Sequence, residues 1–362
     1  MSELLFELIA VALQRRDGLS REPTEKEWQW LYHTAARQAL TGVCFAAVQQ
    51  LKAQGMPIPK PIFMRWLSAA IKIQRLNEAM NRWSAELCQS IQADNIPCCV
   101  LKGQAVAALY DEPLRLLRQS GDIDVWMMTD HRHVIDWGNR HGGIWYFDYH
   151  HADLSDFHDT DVELHYRPTL SRNLLRNARL QRWFRKEREA LAVNREQTGF
   201  PVPRPDFNLI LTLNHNFFHL LYEGVGLRQM MDLYYVLRHG MTEEDRESAK
   251  QLVRRFSLQR FCSASMWVLQ KVFGLERQYM LDEPDEAAGH FLLSEIIKAG
   301  NFGQFDKRLK HGRYSNRLKL MASWLKHTSR LFRYYPADVL WTPFGILYIS
   351  LWRRFSSLKW RV

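Results

Sequence analysis

The stretch LKGQAVAALYDEPLRLLRQSGDIDVWMM, Leu101 to Met128, sets a Lys-Gly pair ahead of a helix-like run. It then places Asp122 and Asp124 one residue apart inside an apolar segment. In an extended strand alternate side chains share a face, so the two carboxylates point the same way while Ile123 and Val125 point into the core. Two ionised carboxylates a pleat apart repel, and burying them unpaired is costly. The pair calls for a positive charge between them. A divalent cation meets that need: Mg2+ first, because it prefers carboxylate and phosphate oxygens, or Mn2+ in its place.

A second acidic strand follows. In DTDVELHY, Asp159 to Tyr166, alternation puts Asp161, Glu163 and His165 on one face and Val162 and Leu164 on the other. If this strand lies beside the first, Glu163 completes a three-carboxylate cluster; Asp161 is its rival, and alternation alone does not separate them. Such a cluster holds two metal ions roughly 3.5–4 Å apart, which orient an attacking oxygen and stabilise a leaving pyrophosphate. That is the chemistry of nucleotidyl transfer. Lys102 and Gly103, in the turn between a short apolar run and the helix after it, add a cation and a close backbone approach suited to phosphate.

Around these motifs the chain divides into four zones. Residues 1–95 read as helical scaffold. They open on the amphipathic run MSELLFELIAVALQRRD, whose Glu3 and Glu7 stand where a secretory signal needs positive charge. A capping-box signature follows at Thr24 and Glu27, and Leu76, Met80, Trp83, Leu87 and Ile91 fall on one helical face. Residues 96–170 change period: IPCCVL, DIDVWMM, IWYFDYHH and DTDVELHY read as strands, with helical segments at GQAVAALY and DHRHVIDWGNRHG. This order predicts an α+β core with a small mixed sheet ending in a hairpin, flanked by helical regions on both sides. Residues 171–300 return to helices, and 301–362 form a basic, aromatic helical tail.

Composition excludes several classes. No apolar run is long enough to span a bilayer, and there is no internal repeat. Five cysteines, Cys44, Cys88, Cys98, Cys99 and Cys262, are an odd number without paired ligand spacing, which suits reduced thiols in a cytoplasmic protein. The net charge of +10 is local: 13 of the 49 Lys and Arg residues, but only two of the 39 Asp and Glu, fall after residue 300. The tail therefore invites an anionic partner. One reading is nucleic acid; another is the inner membrane surface, with Trp341, Trp352 and Trp360 at the interface and Arg353, Arg354, Lys359 and Arg361 toward head groups. A third is simple packing on the helical core.

Val100 to Tyr166 resembles the uncharacterised nucleotidyltransferase family of the DNA polymerase beta-like superfamily. VLKGQAVAALY, RQSGDIDVWM and DVELHY match that family's Leu-Lys-Gly, Arg-x-Ser-Gly-Asp-x-Asp and Glu-Leu-His segments. The resemblance implies a polymerase beta-like core in which Asp122 and Asp124 bind metal and Glu163 is the third acid. It also implies that Lys102 and Gly103 lie at the nucleotide phosphates, with Arg118 and Ser120 flanking. The chain departs from the superfamily's Gly-Ser or Gly-Gly turn, since Gly103 precedes Gln104 and stands 19 positions ahead of Asp122. More loosely, LNHNFFHLLYEGVGLRQMMDLYYVL resembles the family's pattern of helical histidines, then Arg and Asp.

The remaining candidates are histidines and an ion pair. His165 is placed to orient a carboxylate or contact substrate, or else to be satisfied by a neighbouring backbone carbonyl. His150, His151 and His158 have spacing that fits no known zinc pattern. His215 and His219 lie one helical turn apart, but Asn216 stands where a zinc protease needs Glu, so His215 is read as reaching a nucleotide or second substrate. Arg228 and Asp232 read as an intrahelical pair. Two functions follow: a Mg-dependent enzyme moving a nucleoside monophosphate from an NTP to an unidentified acceptor, or a catalytically idle fold acting as a binding or regulatory module through its basic tail.

Overall fold

Cys98–Leu101 (β1) and Ile123–Met127 (β2) are apolar, fully buried runs, as expected of strands covered on both faces. In the computed structural model, which describes residues 2–190, 198–239, 241–306, 308 and 327–358, they pair antiparallel. Val162–His165 (β5) lies parallel to β2, with Asp124 opposite Glu163. Ile144–Phe147 (β3) and His151–Leu154 (β4) complete a five-stranded mixed sheet in the order β1-β2-β5-β4-β3.

The sheet corrects one reading. IWYFDYHH is not a single strand but the end of β3, a turn and the start of β4, so the hairpin is β3–β4 and HADL is a strand of its own. The cause is Asp148, whose side chain accepts from the backbone N–H of His150 at 2.8 Å and of His151 at 3.3 Å and folds the chain back.

Alternation along β2 assigns its two faces. Ile123, Val125 and Met127 pack with Met80, Leu87 and Ile91 of the long helix Lys60–Ala93 and with Val134, Ile135 and Trp137 of the helix His131–Arg140. Trp126 faces the opposite layer, stacked on Phe207 at 5.5 Å between ring centroids. Asp124 shares this second face, so it lies under helices rather than in solvent. The covering layer includes Leu174–Ala190, Pro205–Tyr222 and Leu227–Arg238. Its apolar cluster is continuous with residues of the first helix, Ser2–Ala12, so one core draws on the N-terminal, middle and C-terminal thirds of the chain.

The capping box forms at Thr24 and Glu27, and the five cysteines are all buried. In the long helix Leu76 is 39% exposed, and the buried stripe runs instead through Asn77. That amide donates to the carbonyls of Leu116 at 2.8 Å and Arg118 at 2.6 Å, fixing the loop that leads into β2.

The tail packs in part on the core. Trp352, in the helix Pro336–Leu358, is turned inward rather than toward an interface: it sits 5.3 Å from the Tyr149 ring and 5.0 Å from the Arg167 guanidinium. Leu340, Phe344, Leu347, Leu351 and Phe355 of the same helix face outward. Lys359, Trp360 and Arg361, and most of the basic run before the helix, lie outside the described residues. No helix among the described residues is long and apolar enough to cross a membrane.

The loop before Arg118 is also held from the other side. A Cβ on Gly42, in the helix Thr41–Ala53, would stand 2.2 Å from the Leu117 carbonyl oxygen. Gly42→Ala is therefore expected to lower stability by about 1–3 kcal/mol, because backbone meets backbone and one of them must move. A thermal midpoint equal to that of the parent chain would show the loop to be free to shift.

Candidate active site

The parallel register of β2 and β5 brings Asp124, Glu163 and His165 onto one face. His165 is fully buried, with Nε2 2.8 Å from Asp124 Oδ1 and 3.1 Å from Glu163 Oε2. Lys102 Nζ donates to the same Asp124 oxygen at 2.8 Å. To reach it, Lys102 adopts φ 46°, ψ −131°, so the left-handed backbone of this turn falls on the lysine and not on Gly103. A side chain held in that region carries strain that the surrounding contacts must offset.

The two aspartates are not equivalent. Burial pushes Asp124 up, but Lys102 and the hydrogen bond from His165 outweigh it and hold the carboxyl below its usual range. Glu163 is likewise held well down against burial, by the hydrogen bond from His165 and by Lys102. His165 rises to about 9: burial and Lys102 oppose its charge, but the hydrogen bonds to Asp124 and Glu163 prevail. Asp122 has no hydrogen bond or ion pair among the described residues. Burial, then Asp124 and Glu163, raise it to about 6.

These residues line a pocket of about 340 Å3 whose wall includes Lys102, Gly103, Arg118, Asp122, Asp124, Glu163 and His215. The ligand atoms of Asp124, Glu163 and His165 lie within 4.8 Å of one another, as do those of His150, His151 and His165; Asp122 stands outside both groups on the same wall. Between the two rival acids, Glu163 faces the pocket, whereas Asp161 is exposed at the strand's start. Ser120 is absent from the lining: its hydroxyl oxygen lies 2.5 Å from Asn77 Oδ1 and 2.6 Å from Gln104 Oε1, holding the loop from behind.

Histidines supply part of the wall without charge. Burial, opposed by Asp148, pushes His150 down to about 4, and burial with Lys102 pushes His215 well below its ordinary value. His215 and His219 meet across one helical turn, 2.9 Å between their Nε2 atoms.

Arg228 and Asp232 form the intrahelical pair their spacing suggests, but only as its outer contact, because Asp232 is held more closely by other groups. Asp232 accepts from Arg118 Nε at 2.7 Å, Arg118 Nη2 at 2.8 Å and the Tyr110 hydroxyl at 2.8 Å. Arg228 Nη1 is left 4.0 Å away. Sequence alone gave no sign of this exchange, because Arg118 and Asp232 are 114 positions apart. Arg172, 3.9 Å over the Tyr222 ring, and Asp148 are further lining residues that no motif marked.

The profile of a family described as uncharacterised nucleotidyltransferase matches residues 24–274. Among solved structures, the chain is similar to an antigenic nucleotidyltransferase-like protein from Paracoccidioides brasiliensis. The likeness has 13% identity and a TM-score of 0.28, over 58% of this chain and 96% of that one. No curated protein matches.

The unequal aspartates give opposite mutational signs. Asp122 takes up a proton on folding between its ordinary 3.8 and about 6, so the stability from this group falls as pH rises through that window and stays low above it. In chelator, Asp122→Asn is expected to stabilise the protein by about 2 kcal/mol at pH 7.5, with the gain vanishing below pH 4. Asp124→Asn, which strips the charge facing Lys102 and His165, is expected to cost about 1–3 kcal/mol. Thermal melts of both variants across pH check the pattern; equal shifts would refute the asymmetry.

Proposed function

The chain belongs to the uncharacterised nucleotidyltransferase family, and we propose that its pocket transfers a nucleoside monophosphate from an NTP to an acceptor hydroxyl or phosphate. In this reaction an acceptor oxygen bonds to the α-phosphorus while the bond from that phosphorus to pyrophosphate breaks. The observation that supports this most is the register of two neighbouring parallel strands. It sets Asp124 beside Glu163, with Asp122 unpartnered and Lys102 in the same cleft.

The donor set fits a divalent cation. Asp122 presents a carboxylate with no bonded partner among the described residues, and Asp124 and Glu163 offer two converging carboxylates. Asp122, Asp124 and Glu163 would hold Mg2+ or Mn2+, which supplies charge neutralisation for the leaving pyrophosphate and activation of the attacking oxygen. His165, donating to both carboxylates, fixes their orientation. Lys102 and the Gly103 turn border the space for phosphate. His215, neutral, offers a hydrogen bond without adding charge.

An idle fold acting through its tail is the other reading. It leaves Asp122 unexplained: a half-buried carboxylate without a partner is costly, and a chain with no use for it loses nothing by replacing it.

Titration calorimetry with a non-hydrolysable NTP and Mn2+ tests the proposal. Asp122→Asn and Glu163→Gln should each weaken metal-dependent NTP binding by at least about tenfold, the scale seen when metal sites lose supporting groups. Circular dichroism would report the retained fold. Affinity unchanged in both variants would remove these carboxylates from the site.

A further inference from the structure

The pocket that the carboxylates line is also lined by two guanidinium groups, Arg118 and Arg228. Arg118 is 2% exposed; its Nε and Nη2 are bonded to Asp232, and its Nη1 is buried without a hydrogen-bond partner among the described residues. Among the described residues Arg228, 9% exposed, has only an amide oxygen near hydrogen-bond range, Asn301 Oδ1 at 3.4 Å from Nε, with the Phe302 ring 5.2 Å from its guanidinium carbon. Its nearest carboxylate, Asp232, already takes three hydrogen bonds. Two buried guanidinium groups thus share one carboxylate, and Arg228 has only the outer, 4.0 Å contact with it among the described residues. Burial and the neighbouring Arg118 push Arg228 below its ordinary range, against the pull of Asp232 and Asp122.

An uncompensated buried charge is expensive, and a chain retains one where a ligand supplies the opposite sign. Guanidinium is the group best matched to phosphate, because its planar donors meet two oxygens at once. We propose that Arg228, backed by the buried guanidinium of Arg118, forms an anion clamp for a substrate phosphate in the pocket that Asp122, Asp124 and Glu163 also line. The clamp rests on the nucleotidyltransferase reading only for its source. The phosphate is either the β,γ end of the NTP, which departs as pyrophosphate, or a phosphate carried by the acceptor.

The experiment separates the clamp from that reading by using inorganic pyrophosphate without metal. Calorimetry in chelator should show pyrophosphate binding to the full chain. Arg228→Gln should weaken it at least about tenfold, and Arg228→Lys less, since lysine keeps the charge but not the fork. Asp122→Asn should bind as tightly as the parent or tighter, having lost a repelling carboxylate. No binding by the parent chain, or equal binding by the parent and Arg228→Gln, overturns the clamp; if Arg228→Gln fails to fold, Arg228→Lys with undiminished affinity overturns it equally. A second arm adds NTP with Mn2+. Competition between pyrophosphate and NTP assigns the clamp to the β,γ end, and simultaneous binding assigns it to the acceptor. Arg228-dependent pyrophosphate binding without any NTP binding would keep the clamp and refute the nucleotidyltransferase reading.

Discussion

A carboxylate buried in a core strand needs positive partners, and Asp124 shows how much of a fold that requirement can organise. At 3% exposure it cannot be solvated, so its charge is met from two sides: Lys102 from the turn after β1 and His165 from β5. Each partner imposes a condition. Lys102 reaches the carboxylate only with a backbone that non-glycine residues rarely adopt, and His165 reaches it only if β5 lies parallel to β2 in one register. A slip of one residue on β5 would send both Glu163 and His165 to the opposite face. The electrostatic constraint and the sheet topology are therefore one constraint stated twice.

A second buried carboxylate does for the helical layer what Asp124 does for the sheet. Asp232 joins the loop before β2, through Arg118, to the helix Leu227–Arg238, and Tyr110 closes the arrangement. Removing one partner from such a pair leaves the other charge stranded, at a cost of about 3–5 kcal/mol. The pocket lies between these two anchors. Its walls come from the sheet on one side and from the helices carrying His215 and Arg228 on the other.

Short-range features of this arrangement were legible in the sequence. Alternation placed Asp122 and Asp124 on one face, the Thr24–Glu27 spacing marked a helix start, and the family resemblance named Lys102 and Glu163 before the pocket brought them together. Features that depend on partners far along the chain were not. Nothing near Arg118 announces that its counter-ion is Asp232, and nothing near Arg228 shows that its apparent helical partner is already taken. β4 was hidden for a related reason. The apolar signal of IWYFDYHH continues through Asp148, and only that side chain's hydrogen bonds to the next backbone amides reveal a turn. Leu76 and Asn77 exchanged places because a polar side chain that satisfies two loop carbonyls outranks an apolar one in the contest for the interior.

The two anchors also decide the pocket's polarity. His150 and His215 are kept neutral by burial, so the field across the cleft is set by the carboxylates and the fixed cations. On the strand side the negative charges of Asp124 and Glu163 are partly cancelled by Lys102 and His165, leaving the half-buried Asp122 as the excess. On the helical side Asp232 is consumed by Arg118, leaving Arg228 as the opposite excess. Both uncompensated groups face the same space, one of each sign. In a cleft of low dielectric such a pair sets up a field across the pocket, which favours one orientation of a molecule with two unlike ends. The orientation follows from which charges the protein neutralises internally, and that in turn follows from the register of β5 and the reach of Arg118.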